Sequence, residues 1–166
     1  MKRCLCLFWI ALLFCQWRIV AGQGEVWKVY INPRFGFRIE YPASLKADRP
    51  PDNGDGQAFH SADGKVRLVA SGGFLVAFTF EGLWQQDLER YGNSVTYQKK
   101  GETSYVVSGV LPNGVEFYRH LAVQGQNFAD FEITYPHSEH AKYDRWVERI
   151  ARSYVRFLQG DFDRVL

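Results

Sequence analysis

Residues 137 to 140 read His-Ser-Glu-His, and two of these side-chain types are the ones a zinc site uses. Zinc takes imidazole nitrogen and carboxylate oxygen, usually from four tetrahedral positions. Histidines at i and i+3 near a helix start share a face. His137, Glu139 and His140 still amount to half a site, and no HExxH pattern accompanies them. The sequence therefore favours a solvated helix N-terminus. His60 and His120 fall on separate expected strands, and only three dimensions could bring them to one place.

A second stretch, Arg49 to Gly64, is the densest run of turn chemistry in the chain. A calcium loop of the EF-hand type needs oxygen ligands at positions 1, 3, 5 and 12. Counting from Asp52 places Gly54 and Gly56 at the third and fifth positions, so the pattern fails. Asn53-Gly54 and Asp55-Gly56 accept positive φ at little cost, and Pro50-Pro51 stiffens the approach. The expectation is a folded connecting loop, with Pro50, Pro51, Asp52, Asn53 and Asp55 as its candidate contact residues. Its length invites a partner role, since loops beyond about 12–15 residues are often functional.

Nucleophile and phosphate motifs are poor. Ser108 in VVSGV lacks the GxSxG elbow that exposes a catalytic serine. A triad of Ser108, His120 and Asp130 would have to be gathered from neighbouring strands. SGGF at 71–74 lacks the Gly-Lys-Ser/Thr that completes a P-loop. Glu116 and Glu132 carry no signature beyond ordinary outward strand positions. No catalytic residue, cofactor or metal is assigned from these patterns.

Arg145, Arg149, Arg152 and Arg156 recur at steps of four, three and four. On a continuous helix they form one stripe, able to meet an acidic protein face, glycan or lipid headgroup. Glu148 stands four residues before Arg152 and can pair with it. The stripe is the best-defined candidate partner surface in the sequence.

The elements that must position these residues follow from hydrophobic period. Phe35, Phe37, Ile39 and Tyr41 alternate with Gly36, Arg38 and Glu40, the mark of a half-buried strand. VWKVYI (26–31) precedes it across Asn32-Pro33-Arg34 and predicts a hairpin. QAFHS and KVRLVAS flank Asp63-Gly64, a second hairpin signal. Phe74 to Phe80 is ambiguous between a strand and a helix approach. Trp84, Leu88 and Tyr91 predict a helix ended by Gly92. SVTYQKK, TSYVVSGV, VEFYRHLAV and FADFEITY then read as strands. From Ser138 to about Leu158 the apolar residues Tyr143, Trp146, Val147, Ile150, Tyr154, Phe157 and Leu158 predict a closing amphipathic helix. Ser138 is its expected N-cap and Gly160 its stop. The order of elements implies an α+β domain, an antiparallel β-sheet flanked by helices with the C-terminal helix packed on the sheet.

The N-terminus reads as an export signal. Lys2 and Arg3 precede the apolar run Cys4 to Cys15, which is short of the roughly 20 residues a spanning helix needs. Val20 and Gly22 stand where a signal peptidase reads, so residues 1–22 are expected to be cut before Gln23. Arg18, close to that point, leaves retention as an anchor open. Phe14 before Cys15 speaks against a lipoprotein. All three cysteines lie in this leader, so the mature residues 23–166 would hold no disulfide or cysteine-based zinc site. Without Lys2, Arg3 and Arg18 the balance is 17 basic against 18 acidic residues, which gives no case for nucleic acid. The remaining length suits one domain, with no stable membrane span after cleavage.

GFRIEYPASL, AFHSADGKVRLVA, the mid-chain helix, the hairpin-connected strands and RIARSYVRF together resemble the PsbP-like family over residues 28–158. The branch most similar is that of exported bacterial relatives of the DcrB type, largely uncharacterised. The resemblance implies an α/β/α sandwich and a non-catalytic role in binding or assembly. It carries over no functional residue, and fold likeness alone does not assign function. The expectation is an exported binding or assembly-accessory protein, periplasmic or secreted, without cofactor, whose partner is an unknown protein or envelope component. A small hydrolase or metal-dependent enzyme is the alternative. A holder of exported segments, with Tyr118 and Phe128 exposed on the sheet, is a further one.

Overall fold

Alternating apolar residues build the strands where the period-two pattern places them. The computed structural model describes residues 24–76 and 78–156. The leader, with its cleavage or retention, and the helix positions Phe157 and Leu158 lie outside the described residues. Strands β1 (Trp27–Asn32) and β2 (Phe37–Pro42) pair as an antiparallel hairpin, with Gly36 at φ 64° in the turn. Phe37 and Ile39 are fully buried, and Tyr41 packs on Phe59 with ring centroids 4.2 Å apart. The Asp63-Gly64 turn joins β4 (Gly56–His60) to β5 (Arg67–Phe74). A short β3 (Lys46–Ala47), which no sequence period reveals, pairs with β4.

The ambiguous segment Phe74 to Phe80 divides between both readings. Phe74 ends β5, and Phe80 begins helix α1 (Phe80–Tyr91). The Thr79 side chain accepts from the Gly82 amide at 2.9 Å and starts the helix, while Gly92 at φ 50° ends it. A meander follows: β6 (Val95–Lys100), β7 (Ser104–Val110), β8 (Val115–Gln124) and β9 (Asn127–Pro136). A 3-10 turn at His137–Glu139 leads into α2 (His140–Ser153), and β10 (Val155–Arg156) follows it.

Strand pairing departs from a single sheet. β3 to β9 form a seven-stranded antiparallel sheet in the order β3-β4-β5-β9-β8-β7-β6. β1, β2 and β10 form a separate three-stranded sheet. Because β5 pairs with β9 over eight residues, α1 is the crossover that carries the chain to the far edge. One face of the large sheet buries Tyr105, Val107, Phe117 and Leu121 under Leu83, Trp84 and Tyr91 of α1. The opposite face buries Ala129, Phe131, Ile133 and Tyr135 under the small sheet and Tyr143, Val147 and Ile150 of α2. The α+β architecture with its C-terminal helix on the sheet is thus as expected.

The closing helix is shorter than its apolar stripe predicts. Ser153 Oγ donates to the Ile150 carbonyl at 2.8 Å and accepts from the Glu40 amide at 2.8 Å. Tyr154 is extended, at φ −69° and ψ 112°, and the chain leaves the helix to pair with β2. Its phenol donates to the Ala129 carbonyl at 2.7 Å, so core anchoring outweighs helical period there. The N-terminus shifts too: the helix begins at His140, and Ser138 sits in the 3-10 turn instead of capping it.

Gly109 marks the tightest approach in the large sheet. Register slips between Val95 and Tyr97 on β6, and a Cβ at Gly109 would stand 1.8 Å from the Ser94 carbonyl oxygen. That atom is backbone and cannot swing aside. Gly109→Ala is expected to cost about 1–3 kcal/mol through overpacking, read as a lower urea midpoint with unchanged slope. An unchanged midpoint would mean that β6 peels away freely.

Candidate metal centre

The β8–β9 register brings three ligand-type side chains to one end of the sheet. Glu116 on β8 stands opposite Tyr135, and the His137 amide bonds the Gly114 carbonyl at 2.9 Å. The 3-10 turn then folds His140 back over the same strand end. His137 Nδ1 lies 2.9 Å from Glu116 Oε2, and His140 Nδ1 lies 2.9 Å from both carboxylate oxygens. One ligand atom from each of the three residues falls within 4.8 Å of the others. Zinc bonds of about 2.0–2.2 Å require a somewhat closer set, and half-exposed imidazoles have the freedom to draw in. The nitrogen-nitrogen-oxygen donor set fits zinc or a similar transition ion.

Glu139, the carboxylate that the sequence places between the histidines, is elsewhere. It pairs with Lys142 at 3.1 Å and approaches Lys65 at 3.9 Å. Burial pushes the Glu116 carboxyl up, but hydrogen bonds from His137, His140 and Tyr135 outweigh it and hold the group below the usual range. Glu116 is accordingly an ionised, oriented carboxylate at neutral pH. The neighbouring Tyr135 phenol is pushed up by burial and by that carboxylate, so it stays a donor.

Glu116 and His140 border a cleft of about 560 Å³ between the sheet and α2. Tyr118, Tyr135, Asp144 and Val147 line it, with Ser108 and Arg152 also on its wall. A metal on three protein ligands there would keep a fourth position for water or a partner's donor.

The other sequence-selected residues divide clearly. The loop is tied into the fold: Asn32 Nδ2 donates to the Gly54 carbonyl at 3.0 Å, and Arg34 pairs with Asp55 at 2.9 Å. Arg34 also bonds the Asn53 carbonyl, and Asn53 bonds Asp55. The Gly54 amide closes a turn onto the Pro51 carbonyl at 3.1 Å, while Asp52 stays exposed beside Arg49 at 3.6 Å. Pro50 and Pro51 are exposed on the way in. These bonds make a folded connection and leave Asp52 facing water.

Of the arginine stripe, three members stand on α2 and the fourth does not. Arg145 is exposed, Arg149 pairs with Glu40 at 2.7 Å and lies 4.5 Å over the Trp27 ring, and Arg152 pairs with Glu148 at 3.1 Å. Arg156 sits on β10, half-buried, because the helix has already ended. The triad Ser108, His120 and Asp130 cannot assemble. Cross-strand pairs put Ser108 beside Tyr118 on the α2 face, with His120, whereas Asp130 faces α1. Glu132 is likewise no outward residue, since it bonds the Tyr91 phenol at 2.7 Å beneath α1. Tyr118 and Phe128 are half-buried; the more exposed large apolar residues include Phe74, Val76 and Phe78. His60 pairs with Asp48 at 2.5 Å, away from the other histidines.

Among the described residues no helix is long and apolar enough to cross a membrane. No family profile and no curated protein matches this sequence. Solved structures do. The solution structure of cyanobacterial PsbP (CyanoP) from Synechocystis sp. PCC 6803 is similar with a TM-score of 0.60 at 11% identity, covering 82% of this chain and 96% of that one. A crystal structure from Bacteroides thetaiotaomicron VPI-5482 is similar with a TM-score of 0.53 at 18% identity, covering 80% of this chain and 49% of that one. This chain thus spans about half the length of the Bacteroides protein. At these identities the likeness is one of fold: the chain has a PsbP-like α+β architecture.

Proposed function

We propose that this chain is an exported, non-catalytic binding protein of the cell envelope that holds a divalent transition metal at Glu116, His137 and His140. The single observation behind it is the convergence of those three side chains at the border of the α2 cleft. This departs from the expectation of no metal, which rested on a ligand trio that included Glu139. Export, and with it a periplasmic or secreted location, rests on the charged and apolar pattern of residues 1–22. The PsbP-like fold is compatible with membership of the DcrB-type branch and with an assembly-accessory role. In such a role the metal's open position and the cleft, edged by Arg152, would receive an acidic or donor-bearing segment of the partner.

Zinc titration against a chelating indicator tests the metal. One ion per chain is expected, with affinity at least tenfold lower in Glu116→Gln and in His140→Ala, as for loss of a zinc ligand. Glu139→Gln should bind as the parent does. No binding by the parent, or equal sensitivity at Glu139, overturns the site. An open position on zinc is also what hydrolytic zinc enzymes use, which keeps a metal-dependent hydrolase as the second reading. Turnover of a nitrophenyl ester by the zinc-loaded parent, lost in Glu116→Gln, would favour it.

A further inference from the structure

Toward the other end of β8 a second cleft, of about 710 Å³, lies where β7 and β8 meet β10. Ser104, His120, Ala122, Val123, Tyr154 and Arg156 are on its wall. Among the described residues, three polar atoms there are buried without a hydrogen-bond partner: His120 Nδ1, and Nε and Nη1 of Arg156. Buried polar groups are almost always paired, and a guanidinium with two unpaired nitrogens is a costly exception.

This chain does supply acids to buried arginines where it keeps them for itself. Arg119, one residue earlier on β8 and facing the opposite way, meets Asp87 and Asp130 at 2.6 Å and Glu132 at 3.7 Å. Arg156 has no ion pair among the described residues. Burial lowers its pKa, and a hydrogen bond to the Tyr154 phenol only partly offsets that. The His120 ring is held edge-on against Tyr154 at 4.9 Å and Phe131 at 5.8 Å, so its free nitrogen has a fixed direction.

We propose that this cleft binds a small carboxylic acid with an apolar body, its carboxylate taken by Arg156 with His120 as second donor. A guanidinium matches a carboxylate in shape and charge. His120 is neutral at pH 7, its pKa lowered by burial to about 4, and the Nδ1–H tautomer would supply the donor. One net positive charge suits a monoanion, while a phosphate dianion would be left half-compensated. Ala122, Val123 and the Tyr154 ring offer apolar surface for the remainder. The carboxylate has two possible sources: a free acid, or Asp161 and Asp163 of this chain, which follow Arg156 in sequence.

The test is NMR titration of the four histidine ring signals with hexanoate, using hexanamide as the neutral control. A free-acid site gives a saturable shift of His120 with hexanoate alone. Affinity should fall at least tenfold in Arg156→Gln, the scale of a lost charge-assisted pair, and stay unchanged in Arg145→Gln. His120→Gln, read by calorimetry, checks the second donor if Arg156→Gln fails to fold. A shift seen only in an Asp161→Asn, Asp163→Asn double variant assigns the site to the chain's own carboxylates. Equal response to hexanamide, or no saturable shift in either the parent or the double variant, overturns the proposal. Because Glu116→Gln leaves this cleft untouched, failure here and failure of the metal site are separable.

Discussion

Arg119→Met is expected to lower the unfolding free energy by about 3–5 kcal/mol, the cost of removing one partner from a buried ion pair. Arg119 sits beneath α1 with Asp87 and Asp130, whose side chains are 6% and 5% exposed. The network ties down the C-terminal half of the helix. The Tyr105 phenol donates to Asp87 at 2.5 Å, Ser71 donates to Asp130 at 2.9 Å, and Tyr91 donates to Glu132. Taking out the guanidinium leaves three carboxylates with no buried cation, so the loss exceeds that of a methylene change. Urea unfolding at pH 7 reads the magnitude, and pH dependence identifies the cause. Burial already pushes the Asp130 carboxyl up despite Arg119, and without Arg119 it rises further. A carboxyl with a raised folded pKa binds protons in the native state first, so the variant should regain stability as pH falls toward 5. A loss that stays constant with pH would mean packing, and not unpaired charge, holds α1 down. Adding Asp87→Asn and Asp130→Asn to Arg119→Met should recover part of the loss, because a neutral polar cluster leaves no stranded charge.

This network was hidden from the sequence for one reason. Period-two alternation tells which residues share a face, and it placed nearly every strand. It does not tell which strands are neighbours. Glu132 alternates like any solvent-facing residue, yet α1 crosses that face and turns it into an interior. The pairing of β5 with β9 is set by contacts distant in sequence and has no local signature. Glu116 is different, because a usable signal existed. Counting the β8–β9 register outward from the Gly125-Gln126 turn sets Glu116 opposite Tyr135, two residues before His137. Register arithmetic would have exchanged Glu139 for Glu116. Arg156 misled for the opposite reason: apolar spacing continued through Tyr154, but the phenol's bond to the Ala129 carbonyl belongs to a strand, not a helix.

His120→Leu should reverse its effect with pH. In the ligand-free parent the imidazole pKa is lowered by burial to about 4, from an ordinary value of 6.5. The unfolded chain therefore takes up a proton below about pH 6.5 that the folded chain refuses until about pH 4. Stability that is fully present above pH 6.5 is lost across that window. At roughly 1.36 kcal/mol per pH unit the full window amounts to about 3 kcal/mol, most of it spent by pH 4.5. Burial is the cause, and no carboxylate bonds His120 among the described residues to offset it. The variant lacks this penalty. At pH 7.5 it should differ from the parent only by packing against Phe131 and Tyr154, within about 1–2 kcal/mol. At pH 4.5 the balance should have moved by about 2–3 kcal/mol in its favour. Because every other titratable group is common to both proteins, the difference between them isolates His120. Parallel stability-pH curves for the two proteins would show that the imidazole is solvated and free to charge. The orphaned nitrogen would then already be paired with water, and the adjoining cleft would have lost one of its two donors.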